Sequence, residues 1–453
     1  KHMARTWSWQ LATAPRGRDK TMVIGIVVGL LVLVLSAVPV AAVLGILSFV
    51  LDEVAMDGRL TAALAEIYWD KSKEFILVAV PMFILLGEIM LRAGIARRMY
   101  GAVIQWLSWL PGGLMHANIG SCTIFAASSG SSVATAATVG TVAYPEIEKR
   151  KYNERLFLGS LAAGGTLGIL VPPSINLIIY GLLTDTSVPE LYLAGIFPGL
   201  MLAGLFMVAI IGACIYRPSW GGVKVETNWT DRIRTLPDLL PPIVLFTAVV
   251  GSIYAGIATP TEAASIGVMV ALIIAASFKS LNFKMLRDSF EGTMRTTAMI
   301  MLIVFAAIFL NFVLGFMGIT QAMLAFIADM GLTPIQTIYL IVAFYLLLGM
   351  FMETLSMMLT TIPIVFPIVM KLGVPEFSDV WFGILITLLM EAALITPPIG
   401  VNLYVVQGIR TRGGKFNDVA IGAIPFVVSM LFMIVILISW PSVATWLPNQ
   451  VYH

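Results

Sequence analysis

The feature that most restricts the fold is a pair of Pro-Pro breaks, each embedded in a long apolar run. The first lies in Gly168-Ile169-Leu170-Val171-Pro172-Pro173-Ser174-Ile175-Asn176-Leu177 and the second in Ala393-Leu394-Ile395-Thr396-Pro397-Pro398-Ile399-Gly400-Val401-Asn402-Leu403. A proline within a helix removes an amide donor and clashes with the carbonyl one turn back. Two in succession free several carbonyls at membrane depth, which hydrocarbon tolerates only where the break is buried in protein or lines a polar cavity. One such break reads as a kink. Two, placed alike in the two halves of a chain, point to a binding site at the bilayer midplane.

That these runs lie in a membrane follows from composition. Of 453 residues, 59% are hydrophobic and 11% charged, against about 25% charged in soluble domains, and the mean hydropathy is +0.95. Apolar runs near twenty residues recur, whereas the short alternating segments of a transmembrane β-barrel are not visible. The chain is expected to be an all-α polytopic membrane protein in contact with the lipid bilayer. Its net charge of +2 gives no sign of nucleic-acid binding. Cys122 and Cys214 sit in apolar context, and the histidines are His2, His116 and His453. Neither a disulfide framework nor a Cys or His metal site is expected. No cleavable signal pattern heads the sequence.

Residues 1–21 read as an N-terminal extension and 22–51 as two short helices turning at Pro39. A first repeat, 22–216, continues with an amphipathic stretch at 52–74, a span at 75–91 ending in Gly87-Glu88, and an interfacial helix carrying Trp106 and Trp109. Then come a Gly/Ser/Ala/Thr-rich piece at 112–148, interrupted at Ser128-Ser129-Gly130-Ser131-Ser132, the broken helix 155–184 and a span at 190–216. A polar cytoplasmic linker, 217–236, precedes a second repeat, 237–447. This repeat holds spans at 237–257 and 260–278, a basic loop from Lys279 to Arg295, and a span at 296–317. An interfacial segment near 319–332 leads to a piece at 333–371 interrupted at Glu353-Thr354-Leu355-Ser356. The broken helix 380–409 and a final span at 419–447 follow, leaving a tail at 448–453. Beside ten crossings, the pieces 112–148 and 333–371 read as re-entrant helical hairpins.

Landmarks recur at a nearly constant shift. Pro172 to Pro397 and Ser129 to Thr354 are 225 apart, Gly94-Ile95 to Gly318-Ile319 is 224, and Pro39-Val40-Ala41-Ala42 to Thr261-Glu262-Ala263-Ala264 is 222. Lys and Arg favour the cytoplasmic side in short loops. Arg92, Arg97 and Arg98 precede the first hairpin and Lys149, Arg150, Lys151 and Arg155 follow it, so it enters from the cytoplasm. The second hairpin has no Lys or Arg from 296 to 370 and enters from outside. The repeat is therefore expected to have inverted topology. Arg16, Arg18 and Lys20 leave the side of the N-terminus open between two short crossings and one tilted span.

A hairpin that stops in mid-membrane exposes helix ends. N-terminal ends carry free amides and about half a positive charge, suited to an anionic group. C-terminal ends and unwound prolyl segments offer carbonyls, suited to Na⁺. Ser129 and Ser132, three residues apart, place hydroxyls for one ion, with the carbonyls of Gly168, Val171 and Pro173 completing the cage. The shift carries this set to Thr354 and the carbonyls of Ala393, Thr396 and Pro398. Ser132 maps to Met357, so Ser356 or a carbonyl takes its place. Two Na⁺ sites are expected, with substrate between the tips near Ser131, Ser174, Asn176, Glu353 and Asn402.

Plainer readings compete. Small residues at 112–140 suit close packing of membrane helices. Glu88, Glu262 and Glu391 read as caps or interface residues near span ends, and Met350, Met352, Met357 and Met358 as packing. Arg295 reads as snorkelling to the interface. Glu353 stands at a hairpin tip away from any loop, where a charge defaults to function. An enzyme is not expected, since the sequence has no HExxH pattern and no base near the serine tip.

At these same residues the chain resembles the large membrane subunit of TRAP (tripartite ATP-independent periplasmic) transporters. The resemblance rests on residues 80–90 (VPMFILLGEIM), 129–137 (SGSSVATAA), 171–174 (VPPS), 194–199 (AGIFPG), 259–263 (TPTEA) and 396–400 (TPPIG), and covers about 22 to 447. It implies an elevator-type secondary transporter in a bacterial or archaeal inner membrane, a symporter driven by a Na⁺ gradient. It also implies a small four-helix membrane subunit and a periplasmic solute-binding protein as partners. Both are expected as separate polypeptides or as sequence upstream. Members import organic acids such as C4-dicarboxylates or sialic acid, and some take other small solutes. The family's Na⁺ sites lie at hairpin tips and prolyl breaks. Many members carry Asp near the second tip, where this chain has Glu353. The alternative is a stand-alone carrier resembling divalent-anion/Na⁺ symporters, working without a receptor.

Overall fold

The computed structural model describes residues 29, 32, 33, 38–223, 227–318, 321, 325, 329–350, 352–397, 400–411 and 413–452, and every regular element among them is a helix. The N-terminal extension and most of the first short helix lie outside these residues. The described chain begins its first long helix directly after Pro39, as α1 (Val40–Met56). Then come α2 (Ala79–Arg92) and the amphipathic α3 (Ile95–Leu107), entered through Gly94 at φ 73°. Among the described residues six helices are long and apolar enough to cross a bilayer, including α8 (Val188–Tyr216).

The first re-entrant hairpin is α4 (Leu114–Ser129) and α5 (Ser132–Ala143). Its geometry follows from contacts with α6 (Glu154–Thr166). Leu114 N donates to Tyr152 Oη at 3.0 Å, Asn118 Nδ2 to Ser160 Oγ at 2.9 Å, and Gly164 packs on Cys122, so α4 runs parallel to α6. Gly168 abuts Ser131, Gly165 abuts Ala136 and Gly140 abuts Leu161, so α5 runs antiparallel. The chain therefore turns back at Gly130-Ser131. Gly130 sits at φ 60°, a left-handed conformation that costs glycine little. Asn153 caps α6 by accepting the Leu156 amide at 3.0 Å, and Ser174 caps α7 (Ile175–Thr184).

After α8 come α9 (Leu240–Tyr254), α10 (Pro260–Ser277), started by a Thr259/Glu262 capping box, and α11 (Phe283–Phe316). The second hairpin is α12 (Pro334–Leu348) and α13 (Thr354–Met370). Tyr345 and Thr361 hydroxyls pair at 2.5 Å across it. Gly349 packs on Ala393 near the end of α14 (Asp379–Ile395), while Phe366 meets Phe382 with centroids 6.4 Å apart. Next are α15 (Val401–Ile409), α16 (Phe416–Ser439) and α17 (Ser442–Tyr452).

Four contacts fix the relation between repeats. At one end Arg410, its side chain 3% exposed, bonds Glu154 at 2.7 Å, and Arg155 bonds Asp418 at 2.9 Å. Midway, Asn402 Nδ2 donates to the Ala162 carbonyl at 3.3 Å. At the other end Tyr180 Oη donates to the Asp379 carbonyl at 2.7 Å. Helices α6 and α14 thus start from opposite ends and run toward the middle, which is an inverted arrangement. Between α6 and α16 the backbones touch. A Cβ on Gly159 would fall 1.9 Å from the Gly422 carbonyl oxygen, so no larger residue fits without parting the helices.

Several expectations change. The predicted basic loop from Lys279 to Arg295 is largely helical, because Asn282 caps α11 at Met285 N (2.9 Å). At about 1.5 Å per residue its 34 residues exceed a bilayer, and the first turns stand outside. The expected final span 419–447 stops at Ser439, since Pro441 cannot continue it, and residues 448–452 of the expected tail belong to α17. The described residues of the second hairpin leave α12 at Gly349 and re-enter a helix at Thr354, so Thr354-Leu355-Ser356 lie in α13 and Glu353 is its cap. The linker 217–236 is partly helical and docked, with Arg232 Nε donating to the Gln105 carbonyl at 3.0 Å. Glu391 is no span-end residue: it is fully buried in the last turns of α14.

Candidate functional site

The two hairpin tips and the first prolyl break meet around one cavity of about 520 Å³. Ser129, Gly130, Ser131 and Ser132 line it from the first tip, Glu353, Thr354 and Leu355 from the second, and Ile169, Ile175 and Asn176 from the first break. Leu394 brings in the end of α14, and Gly87 and Glu88 the wall formed by α2. The first prolyl break places the start of α7 at this chamber because the prolines forbid continuation, and the tips add the end of α4 and the starts of α5 and α13.

At the first tip, glycines let backbones converge. A Cβ on Gly130 would lie 2.9 Å from the Pro173 carbonyl oxygen, one on Gly168 2.6 Å from the Ser131 carbonyl oxygen, and one on Gly87 2.9 Å from the Ser129 carbonyl oxygen. The tip is thereby clamped between α2 and the prolyl turn. Ser132 Oγ donates to the Thr166 carbonyl at 3.1 Å, and Ser129 Oγ lies 2.8 Å from Thr135 Oγ1. Ser129, Ser132, Gly168 and Pro173 are therefore gathered at one place, and Val171 is buried in the same turn. Thr135 and Thr166 join them. Neither stands out in the sequence, although Thr135 follows Ser132 by three residues, the spacing that puts two side chains on one helical face.

At the second tip a carboxylate takes the capping role. Glu353 Oε2 accepts from Ser356 N at 3.2 Å and Ser356 Oγ at 3.3 Å, while Oε1 accepts from Thr354 Oγ1 at 3.1 Å. A hydroxyl that donates in this way keeps lone pairs for a cation. Thr396 Oγ1 donates to the Ala392 carbonyl at 2.6 Å, and Thr396 N to the Ala393 carbonyl at 3.3 Å. Pro398 lies outside the described residues.

Of the substrate candidates, Ser131, Asn176 and Glu353 line the chamber. Ser174 and Asn402 are not among its lining residues and do structural work. Ser174 is fully buried, bonds the Ile169 carbonyl at 2.5 Å and caps α7, while Asn402 holds Ala162. Glu88, read as a span-end residue, instead faces the chamber and pairs with Arg92 one turn on. Arg295 is exposed, away from the chamber. Among the described residues no three His, Cys, Asp or Glu side chains cluster. The oxygens at the tips are hydroxyls, carbonyls and one carboxylate, a hard-ligand set that suits an alkali cation better than a transition metal.

The chamber continues along α5. A second cavity of about 530 Å³ shares Leu91 and Ala137 with it and reaches Arg97 and Thr141. A third, of about 590 Å³, shares Thr141 and ends at Glu148, Lys149 and Thr411. The three cavities thus lie in succession along α5 toward the end of the molecule that carries Arg97 and Lys149.

Residues 27–443 match the family described as tripartite ATP-independent periplasmic transporter, DctM component. The C4-dicarboxylate TRAP transporter large permease protein DctM of Rhodobacter capsulatus is 31% identical over 94% of this chain and 98% of its own length. The ectoine/5-hydroxyectoine TRAP transporter large permease protein UehC of Ruegeria pomeroyi is 31% identical over 83% of this chain and 86% of its own. In fold, the chain is similar to the crystal structure of the YdaH transporter of Alcanivorax borkumensis, with a TM-score of 0.60 over 93% of this chain and 98% of that one, at 16% identity.

Proposed function

The chain belongs to the DctM component family of tripartite ATP-independent periplasmic transporters, and from that premise we propose that it carries out Na⁺-coupled import of a small organic acid or related solute. It is a multi-pass transporter subunit of a bacterial inner membrane, not an enzyme. The observation that carries the proposal is the meeting of both hairpin tips at one chamber beside a prolyl break. One Na⁺ is held by Ser129 and Ser132 with the carbonyls of Gly168, Val171 and Pro173. A second is held by Thr354 and Ser356 with carbonyls at Ala393, Thr396 and Pro398. Each net charge moved inward gains about 2.3 kcal/mol per 100 mV.

A small membrane subunit and a periplasmic binding protein complete the machine, and an elevator movement of the chamber exposes it to alternate sides. The opening along α5 toward Arg97 and Lys149 corresponds, by the positive-inside rule, to release into the cytoplasm. Reconstitution into liposomes with both partners tests the reading. Uptake is expected to require an inward Na⁺ gradient, and uptake that persists unchanged with K⁺ replacing Na⁺ ends it. Uptake by this subunit alone would favour the receptor-independent carrier instead.

A further inference from the structure

We propose that Glu391 supplies the countercharge for the Na⁺ of the first break, presented from the opposite repeat. The inference deepens the transport reading and rests on it. Its ground is a charge count that includes both ions. The second Na⁺ has a carboxylate in its surroundings, since Thr354 and Ser356 both bond Glu353. The first is given only hydroxyls and carbonyls, from Ser129, Ser132, Gly168, Val171 and Pro173. Neutral oxygens solvate a cation, but its charge still stands uncompensated in a low-dielectric interior.

Glu391 poses the converse problem. It is fully buried in α14, and neither carboxyl oxygen completes a hydrogen bond among the described residues. A carboxylate placed there is as costly alone as the cation is. Its polar neighbour is the backbone of the other repeat, at the Leu170 amide. Of the four amides from Gly168 to Val171, those of Gly168, Ile169 and Val171 bond carbonyls three or four residues back, and that of Leu170 is left to face Glu391. Leu170 stands between Gly168 and Val171, whose carbonyls are assigned to the ion, and consecutive Cα atoms are about 3.8 Å apart. The carboxyl therefore rests against the turn that offers these carbonyls, near enough to act through space and through the one spare amide. Packing does not demand an acid at this place in the fold. The shift of 225 pairs Glu391 with Thr166, whose hydroxyl simply bonds the Ala163 carbonyl of its own helix. Each Na⁺ thus has one carboxylate, and Glu391 is a positioning residue that touches the turn, not the ion.

The test is melting of the full membrane complex as NaCl replaces choline chloride at constant ionic strength. Without Na⁺, E391Q should melt no lower than the wild type, because an unbalanced buried charge has been removed. With Na⁺, one limb of the stabilisation curve should shift to a half-saturating concentration at least about tenfold higher. That limb should be the one S132A moves, and S356A should move the other. An E391Q curve that tracks the wild type overturns the proposal, since it marks Glu391 as a neutral acid serving the fold. A shift confined to the S356A limb overturns it too. If E391Q does not fold, infrared spectra of the wild-type complex in ester-free detergent decide. At about pH 8, where an ordinary carboxyl is ionised, saturating NaCl should leave no carbonyl stretch of a protonated carboxyl, and its presence overturns the proposal. The wild-type curve separates the two readings: Na⁺ stabilisation indifferent to E391Q sinks only this one, whereas no Na⁺ stabilisation sinks the coupling and this inference with it.

Discussion

The first tip and the second occupy equivalent places in the inverted fold and are built from different chemistry. Tip one is neutral, joined by Gly130-Ser131, and held by glycines packed against carbonyl oxygens. Tip two is longer, carries Glu353, and gathers its hydroxyls onto that carboxylate. The steric roles are exchanged as well. On the break side repeat one has Gly168, whereas the matching position 393 has a Cβ, and the space for it comes from Gly349 on the hairpin. A repeat conserves the shape of a site more strictly than the residue that makes it, so equivalent positions carry unequal burdens.

The largest effect that would break this comparison is steric. G168A and G349A should each cost about 1–3 kcal/mol through overpacking and abolish transport, read by melting and by uptake. The Cβ of G168A meets backbone at 2.6–2.8 Å, whereas that of G349A meets the Ala393 Cβ at 2.0 Å. A393G should therefore rescue G349A in part, and have no effect on G168A. Rescue of both, or of neither, would show that the exchange of roles is wrong.

Next comes the charge. E353Q preserves the cap and should leave the melting temperature nearly unchanged while cutting transport more than about tenfold. S131A, at tip one, loses a cap whose contact with Ala134 N is long at 3.4 Å. It should cost about 0.5 kcal/mol and lower transport less. Equal transport defects would erase the functional difference between the tips. A finer probe is S132A, which should raise half-saturating Na⁺ roughly fivefold, about 1 kcal/mol, at one of two sites. The Na⁺ dependence should then become biphasic.

The smallest effect lies outside the membrane, where tip one's hairpin ends. Burial alone would raise the Glu146 carboxyl, but hydrogen bonds from Lys149 and Arg150 hold it below its ordinary value of 4.5. That stabilisation is present above pH 4.5 and lost as pH falls through the lower folded value. E146Q should remove about 0.3 kcal/mol of stability at neutral pH and flatten the acid limb of a melting-versus-pH curve.

Much of this architecture is legible in the residues because membranes punish broken helices. Paired prolines and Ser/Gly tips in apolar sequence have few other uses, and they locate the breaks and the hairpins, while the uneven spread of Lys and Arg gives the inversion. What escapes is set by three-dimensional neighbours. Glu88 looks like a span-end residue until the tip is seen resting on Gly87. Thr135 and Thr166 matter because α4, α5 and α6 converge, which no local pattern announces. Ser174 and Asn402 sit beside the prolines and so invite a ligand role; the Ser174 hydroxyl is taken up by the Ile169 carbonyl and the Leu177 amide, and Asn402 Nδ2 by the Ala162 carbonyl, while Asn402 Oδ1 is buried with no partner among the described residues. The start of α11 was hidden by its charges, since helical turns outside the bilayer have loop-like composition.

The ionic clasp of Arg410 with Glu154 and of Arg155 with Asp418, together with the Tyr180–Asp379 tie at the far end, stitches the severed helices of both repeats into a single block. In the elevator movement proposed above, a block tied in this way would carry both tips' seats together, so that whatever occupies them and the space between them would travel as one cargo, its stoichiometry set by the masonry of the fold before any affinity is considered.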